Sequence, residues 1–246
     1  MIALVLACFA AAFISGVTGM AGGTLLLSVL LLFYDPILSI ALHGFLQVVA
    51  NCSRVFVFLS SVSWTHVGWF VALVVPGSLL GGAVADLFNP DLLKMMLSVL
   101  ILWVAWKPKA KKEHVQSAPH MMLPLGFTGG FLGMIIGVTG PLLAPFFLKA
   151  GLLKETFIAT KAVCQFFVQM VKVAIFATML GVEYGEKAVE LSILSLFLIL
   201  GTVVAKKVLS QLSGARFKQI VSAVLTLIAC KLFWSSCVGY FALVAA

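Results

Sequence analysis

Charged residues are scarce in this sequence, and acidic residues especially so. Asp and Glu together number 8 among 246 residues, and charged residues make up 10% of the chain, against roughly 25% in a soluble globular domain. Hydrophobic residues make up 63% of the chain, and its mean hydropathy is +1.19. The composition excludes an ordinary soluble domain and predicts a polytopic all-α membrane protein.

Metal sites and catalytic sites also lack the residues they would need. The 5 cysteines show no metal-ligand spacing, and there is no nucleophile–base pair or phosphate-binding loop. We therefore predict no enzyme activity, no metal and no cofactor. The net charge of +8 does not indicate nucleic acid binding, because the basic residues cluster beside apolar segments, where they orient membrane helices.

Several apolar runs are long enough, or nearly so, to cross a hydrocarbon core of about 30 Å. They are Ile37–Ser60, Val67–Ala85, Leu92–Trp106 and Ile220–Trp234, and none of them contains Asp or Glu. A pathway for metal cations would need carboxylates or thiols, so these spans disfavour a cation permease.

The second half of the chain repeats the first. The segment GVTGMAGGTLLLSVLLLF aligns with GVTGPLLAPFFLKAGLL, and HGFLQVVANCSRVFVF aligns with KAVCQFFVQMVKVAIF. We therefore predict two copies of one membrane unit, residues 1–106 and 121–246, joined by the basic linker 107–120. The alignment pairs polar residues in order, His43 with Lys161, Gln47 with Gln165, Asn51 with Gln169 and Arg54 with Lys172.

Each unit is predicted to contain a broken or re-entrant helical hairpin followed by three transmembrane helices. At about 1.5 Å per residue, the short apolar segments beside the glycine-rich breaks suit half-crossings of the bilayer. These segments are 2–15 with 22–33, and 121–136 with 141–148. The predicted spans are 37–60, 66–86 and 92–106, then 156–180, 187–205 and 217–235, with a kink at Pro76.

The basic residues predict opposite orientations for the two units. The linker carries Lys107, Lys109, Lys111 and Lys112, and the loop 206–218 carries Lys206, Lys207, Arg216 and Lys218. Both segments should be cytoplasmic by the positive-inside rule, and the acidic loop around Glu186 should lie outside. An odd number of crossings must then separate the linker from that loop. A hairpin that dips in and returns, followed by one span, meets this condition and makes the repeats inverted.

The glycine-rich breaks are candidate anion sites. Irregular backbone at membrane depth persists where it is buried in protein or lines a water-filled cavity, and the N–H groups that open the next half-helix attract anions. The alternative is that the glycines only let helices pack closely, which suits segment 126–137 best. The predicted binding residues at the breaks are Gly16, Thr18, Gly19, Gly22, Gly23, Gly137, Thr139 and Gly140.

A polar stripe follows one face of a predicted span in each unit. Its spacing keeps the side chains within roughly 80° around the helix axis. Amides donate hydrogen bonds to anion oxygens, and Lys or Arg adds positive charge. The alternative is that Arg54 and Lys172 extend to the headgroups. The residues predicted to line the anion pathway are His43, Gln47, Asn51, Arg54, Lys161, Gln165, Gln169 and Lys172.

With a glycine break in each half, a basic linker and the segment LGTVVAKKVLSQLSGARFKQIV, the sequence resembles the TauE/SafE family of sulfite and organosulfonate exporters. The resemblance implies a secondary transporter that exports a small sulfur-containing anion across the bacterial inner membrane by alternating access. The alternatives are a passive anion channel and a non-transporting membrane scaffold subunit. The expected partners are the anion, the lipid bilayer and, as an option, further copies of the chain.

Overall fold

The computed structural model describes residues 1–30, 32–84, 95, 98–99, 118–137, 139–179 and 181–244. In these ranges the regular secondary structure is helical, as predicted. The helices are α1 Ile2–Thr18, α2 Gly22–Leu30, α3 Pro36–Val57, α4 Trp64–Val71, α5 Val74–Ala83, α6 Met122–Ile135, α7 Gly140–Lys149, α8 Lys154–Met179, α9 Ala188–Gln211 and α10 Gly214–Val244.

Among the described residues, four helical segments are long and apolar enough to cross a membrane. They are Leu38–Val57, Trp64–Ala83, Lys154–Met179 and Tyr184–Gln211, and they match four of the predicted spans. The predicted span 217–235 lies within α10. Most of the predicted span 92–106 and of the linker 107–120 lies outside the described residues. The chain is therefore an all-helical, multi-pass membrane protein.

The helical structure is interrupted at both glycine-rich breaks, at residues 19–21 in the first and at the described residues 136, 137 and 139 in the second. Helix α1 ends at Thr18, and Gly19 adopts the left-handed conformation with φ 74°, which suits a residue without a Cβ. In the second unit Gly137 has φ 80°. Helices α2 and α7, with 9 and 10 residues, are each only about 14–15 Å long. Neither is long enough to cross the bilayer alone.

The first polar stripe lies on α3, whose start is set by local sequence. The Asp35 side chain accepts a hydrogen bond from the Leu38 N–H at 3.0 Å, and Pro36 occupies the first helical turn. Both features are typical of a helix N-terminus. The cap therefore sets where the helix begins and where along it each stripe residue lies.

The predicted kink near Pro76 is present as an interruption between α4 and α5. The chain leaves the helix at Ala72 and Leu73. A proline ring clashes with the carbonyl group of the residue four positions earlier, and for Pro76 that residue is Ala72. The break therefore lies one turn before the proline that causes it.

Helices from the two halves of the chain pack against each other. Helix α3 packs on α8, α1 packs on α9, and α6 packs on both α4 and α5. Glycines allow α6 to approach α4 and α5 closely. A Cβ on Gly126 or Gly130 would collide with the carbonyl oxygens of Phe70 and Val74. The packing interpretation of segment 126–137 is therefore supported for these two glycines.

Candidate functional site

Both polar stripes are buried between helices. Exposed fractions range from 0% for Asn51 to 7% for Gln165. Arg54 is 2% exposed and Lys172 is 1% exposed. The alternative in which these two cations extend to the membrane surface is therefore wrong, because their charged ends lie inside the helical bundle.

The lysines of α8 are bonded to the two glycine breaks. Lys161 Nζ donates a hydrogen bond to the Gly19 carbonyl oxygen and lies 3.3 Å from Gln165 Oε1. Lys172 Nζ donates to the Gly137 carbonyl oxygen at 3.1 Å. One helix in the second half of the chain thus holds both breaks through backbone carbonyl groups.

The stripe on α3 has fewer partners than the stripe on α8. Arg54 Nε donates to the Ala50 carbonyl oxygen at 2.9 Å, but its Nη2 has no partner among the described residues. The same is true of both amide atoms of Asn51 and of both ring nitrogens of His43. The His43 ring lies beside Gly23, where an added Cβ would be 3.4 Å from Nε2. Buried polar groups usually find partners, so these atoms are candidates for contact with a bound molecule.

A small cavity lies where the breaks and the stripes meet. It brings together residues that are far apart in sequence and come from both halves of the chain. The predicted site residues that line it are Gly23, His43, Gln47, Arg54, Thr139, Gly140, Gln165 and Gln169. Gly23 is in the first turn of α2, and Gly140 is the first residue of α7. Two helix N-termini therefore border one cavity.

The other predicted residues surround the cavity without lining it. Gly16 packs against Thr202 and Ala205 of α9, and Gly22 packs against the Ala11 carbonyl group, so both have a packing role. Thr18 Oγ1 accepts the Met20 N–H at 3.2 Å and lies 2.8 Å from the Ile14 carbonyl oxygen. Gly19, Gly137, Lys161 and Lys172 form the carbonyl–lysine contacts already described, and Asn51 is a buried stripe residue that does not line the cavity.

The structure adds lining residues that were not among the predicted site residues. They are Ser15, Met20, Ala21, Thr24 and Pro141. Ser15 Oγ accepts the Gly22 N–H at 3.2 Å, which supports the start of α2. The hydroxyls of Thr24 and Thr139 have no partner among the described residues. Their position in the sequence could have identified them as lining residues, because each lies in a glycine break or within one helical turn of a break.

The lining is rich in hydrogen-bond donors and has no carboxylate. Arg54, the side-chain amides and the threonine hydroxyls can all donate, and the first N–H groups of a helix have no intrahelical partner. In the described part of the chain, no carboxylate forms an ion pair with Arg54, Lys161 or Lys172. This arrangement is suited to an anion that accepts several hydrogen bonds.

Comparison with known proteins supports a family assignment. The family model described as sulfite exporter TauE/SafE matches residues 4–232. Searches of curated proteins and of solved structures found no match. The family match covers nearly all of the chain, including both breaks and both stripes. The chain belongs to the TauE/SafE family.

Proposed function

We propose that this protein exports a small sulfur oxyanion, with sulfite as the first candidate, and binds it in the cavity between the glycine breaks. The observation that carries the proposal is Arg54, a buried cation that lines the cavity, has no ion pair with a carboxylate of the described residues and keeps Nη2 without a partner there. An unpaired cation inside a membrane protein is costly. A bound oxyanion supplies both the missing acceptors and the compensating charge. The family description names sulfite as the exported species.

The size of the cavity favours a compact anion. The space in it that the centre of a water-sized sphere can occupy is about 10 Å³, close to the room that one water molecule needs. We therefore expect sulfite to bind better than an organosulfonate with an extended chain.

Alternating access is the transport mechanism that the burial favours. The lining residues His43, Arg54 and Thr139 are each at most 2% exposed, whereas an open channel would expose its lining to water. Helix α1 of the first half packs on α9 of the second, and α6 of the second half packs on α4 and α5 of the first. A two-fold axis between units 1–106 and 121–246 would produce this reciprocal packing. Binding between inverted repeats that contain broken helices is a common arrangement in secondary transporters.

The proposed orientation places the linker 107–120 and the loop 206–218 in the cytoplasm of a bacterial cell, with the protein in the inner membrane. The glycine-broken hairpins are then re-entrant. A membrane potential that is negative inside drives anions outward by roughly 2.3 kcal/mol per charge per 100 mV. Export therefore needs no dedicated coupling ion in this proposal.

Flux into proteoliposomes tests the proposal. Purified protein is reconstituted, and the uptake of radiolabelled sulfite is measured with an interior-positive potential. The Lys207→Met variant, which removes an exposed charge that does not line the cavity, is the matched control. We expect saturable uptake by the parent and by the control, with competition from unlabelled sulfite.

Other results of the flux measurement would indicate a different function. Uptake that rises linearly with concentration would indicate a passive channel. Uptake of an organosulfonate without sulfite would keep the transporter and change its substrate. If no tested anion moves while the reconstituted protein remains folded, the export proposal is wrong and a scaffold role is favoured.

A further inference from the structure

The three buried cations at the site are held in different ways. We propose that Arg54 is the cation that contacts the anion, whereas Lys161 and Lys172 are positioning residues that hold the two glycine breaks in place. This inference rests on the proposed function, because it assigns roles within the same anion site. It separates residues that look equivalent in the aligned stripes.

Each lysine bonds to the backbone of a break, and Lys161 has a second bond to Gln165 Oε1. Nζ of Lys161 donates to the Gly19 carbonyl oxygen, and Nζ of Lys172 donates to the Gly137 carbonyl oxygen. Both glycines have positive φ, 74° and 80°, so their carbonyl groups have left the helical hydrogen-bond pattern. Neither lysine lines the cavity.

A carbonyl group at membrane depth needs a donor because lipid provides none. The two lysines supply that donor, and the breaks in turn give the lysines acceptors. Removing a lysine side chain leaves a buried carbonyl oxygen without its partner, which costs about 1–3 kcal/mol. The lysines are thus expected to stabilise the shape of the breaks that present Gly23 and Gly140 to the cavity.

Arg54 shows the opposite arrangement. Its Nε is fixed by the Ala50 carbonyl oxygen at 2.9 Å, one turn back on the same helix. The guanidinium group is therefore oriented, while Nη2 is buried and without a partner among the described residues. Arg54 also lines the cavity, together with Gln47 and Gln169. A planar guanidinium group with free N–H groups is well suited to an oxyanion.

Anion-induced thermal stabilisation separates the two roles. The melting temperature of the full-length protein in detergent is measured against increasing sulfite, and then against sulfate. The variants are Arg54→Gln, Arg54→Lys, Lys161→Met, Lys172→Met and Lys172→Arg, with Lys207→Met as the matched control. Sulfite flux is measured on the same samples, so binding and transport are scored separately.

We expect Arg54→Gln to keep the parent melting temperature without anion and to lose the sulfite-dependent rise, and Arg54→Lys to regain part of it. Lys161→Met and Lys172→Met should melt at lower temperature without anion, yet keep the rise with an apparent affinity within about threefold of the parent. Lys172→Arg, which retains a donor for Gly137, should recover stability. The Lys172→Arg variant keeps the test informative if Lys172→Met does not fold.

The inference is overturned if Arg54→Gln responds to sulfite like the parent, or if Lys172→Met loses the response at unchanged melting temperature. A parent protein that responds to neither sulfite nor sulfate overturns it as well. An Arg54-dependent response without flux leaves the inference standing and refutes export. Sulfite flux that is unchanged by substitution of Arg54 leaves the export proposal standing and refutes the role assigned to Arg54.

Discussion

Lys161 Nζ bonds to the carbonyl oxygen of Gly19, a residue 142 positions away in the sequence. The contact joins α8, in the second half of the chain, to the break in the first half. Gly19 also packs against the ring of Phe157, which belongs to α8 as well. The first break is therefore shaped by a helix that the sequence places in the other unit.

Replacement of Gly19 by alanine should be strongly destabilising. The left-handed conformation alone costs a residue with a Cβ about 1–2 kcal/mol, and the added Cβ would collide with the Phe157 ring. We expect Gly19→Ala to lower the melting temperature by several degrees and to reduce flux. Gly185→Ala is the control, because no atom lies within 4 Å of its added Cβ. Equal melting temperatures for the two variants would contradict this account.

Two neighbouring glycines of α5 should respond differently to the same change. A Cβ on Gly81 would meet the Phe131 carbonyl oxygen of α6, whereas a Cβ on Gly82 would lie an ordinary 3.6 Å from Met134 Cε. Overpacking typically costs about 1–3 kcal/mol. Gly81→Ala should therefore unfold at lower temperature or in less denaturant than the parent, and Gly82→Ala should match the parent. A reversed order would refute the close contact of α5 with α6.

Removal of an unpartnered hydroxyl should affect anion binding and leave stability unchanged. Thr139 Oγ1 lies at the cavity without a partner among the described residues, so Thr139→Val removes no hydrogen bond within the protein. We expect the apparent affinity for sulfite to fall by about 2–10-fold, the value of one neutral hydrogen bond. Thr18→Val should instead lower the melting temperature, because Thr18 Oγ1 bonds within the first break. Unchanged sulfite affinity in Thr139→Val would exclude that hydroxyl as a ligand.

Ionisation of Tyr34 should lower the stability of the protein at alkaline pH. Burial, together with the hydrogen bond to Glu190 and the charge of that residue, raises the pKa of Tyr34 from 10.0 to about 12. As pH rises through this window, the unfolded chain loses the proton before the folded chain does. The contribution of Tyr34 is therefore complete below about pH 10 and is lost toward pH 12. Melting temperatures of the parent and of Tyr34→Phe between pH 8 and 12 check this, and parallel profiles would count against it.

Hydropathy and glycine spacing were sufficient to predict much of the fold. They predicted an all-helical membrane protein, and they located both breaks, because only a few backbone arrangements satisfy hydrogen bonds within lipid. The burial of Arg54 could not be decided from its distance to the helix end. That outcome depends on α8 packing on the stripe-bearing face of α3, which is a tertiary contact.

The candidate site was predicted in part. Periodicity identified His43, Gln47 and Gln165, which line the cavity. It did not distinguish Arg54 from Lys172, because the partner of Lys172 is the backbone of Gly137, and a carbonyl acceptor leaves no mark in a side-chain pattern. Met20 and Ala21 were missed for a related reason, since they reach the cavity through the path of the backbone at the break.

The glycine contacts hold certain pairs of helices tightly together. Helices α1 and α9 meet backbone to backbone at Gly201 and Phe9, and α5 and α6 do so at Gly77 and Phe127, so neither pair can slide without a collision. Each pair combines helices from different halves of the chain. Helices α3 and α8 show no such backbone contact at Gly44, where an added Cβ would meet only side chains. In the proposed alternating-access mechanism, we therefore expect these mixed pairs to move as rigid bodies relative to α3 and α8, in place of the two halves of the chain.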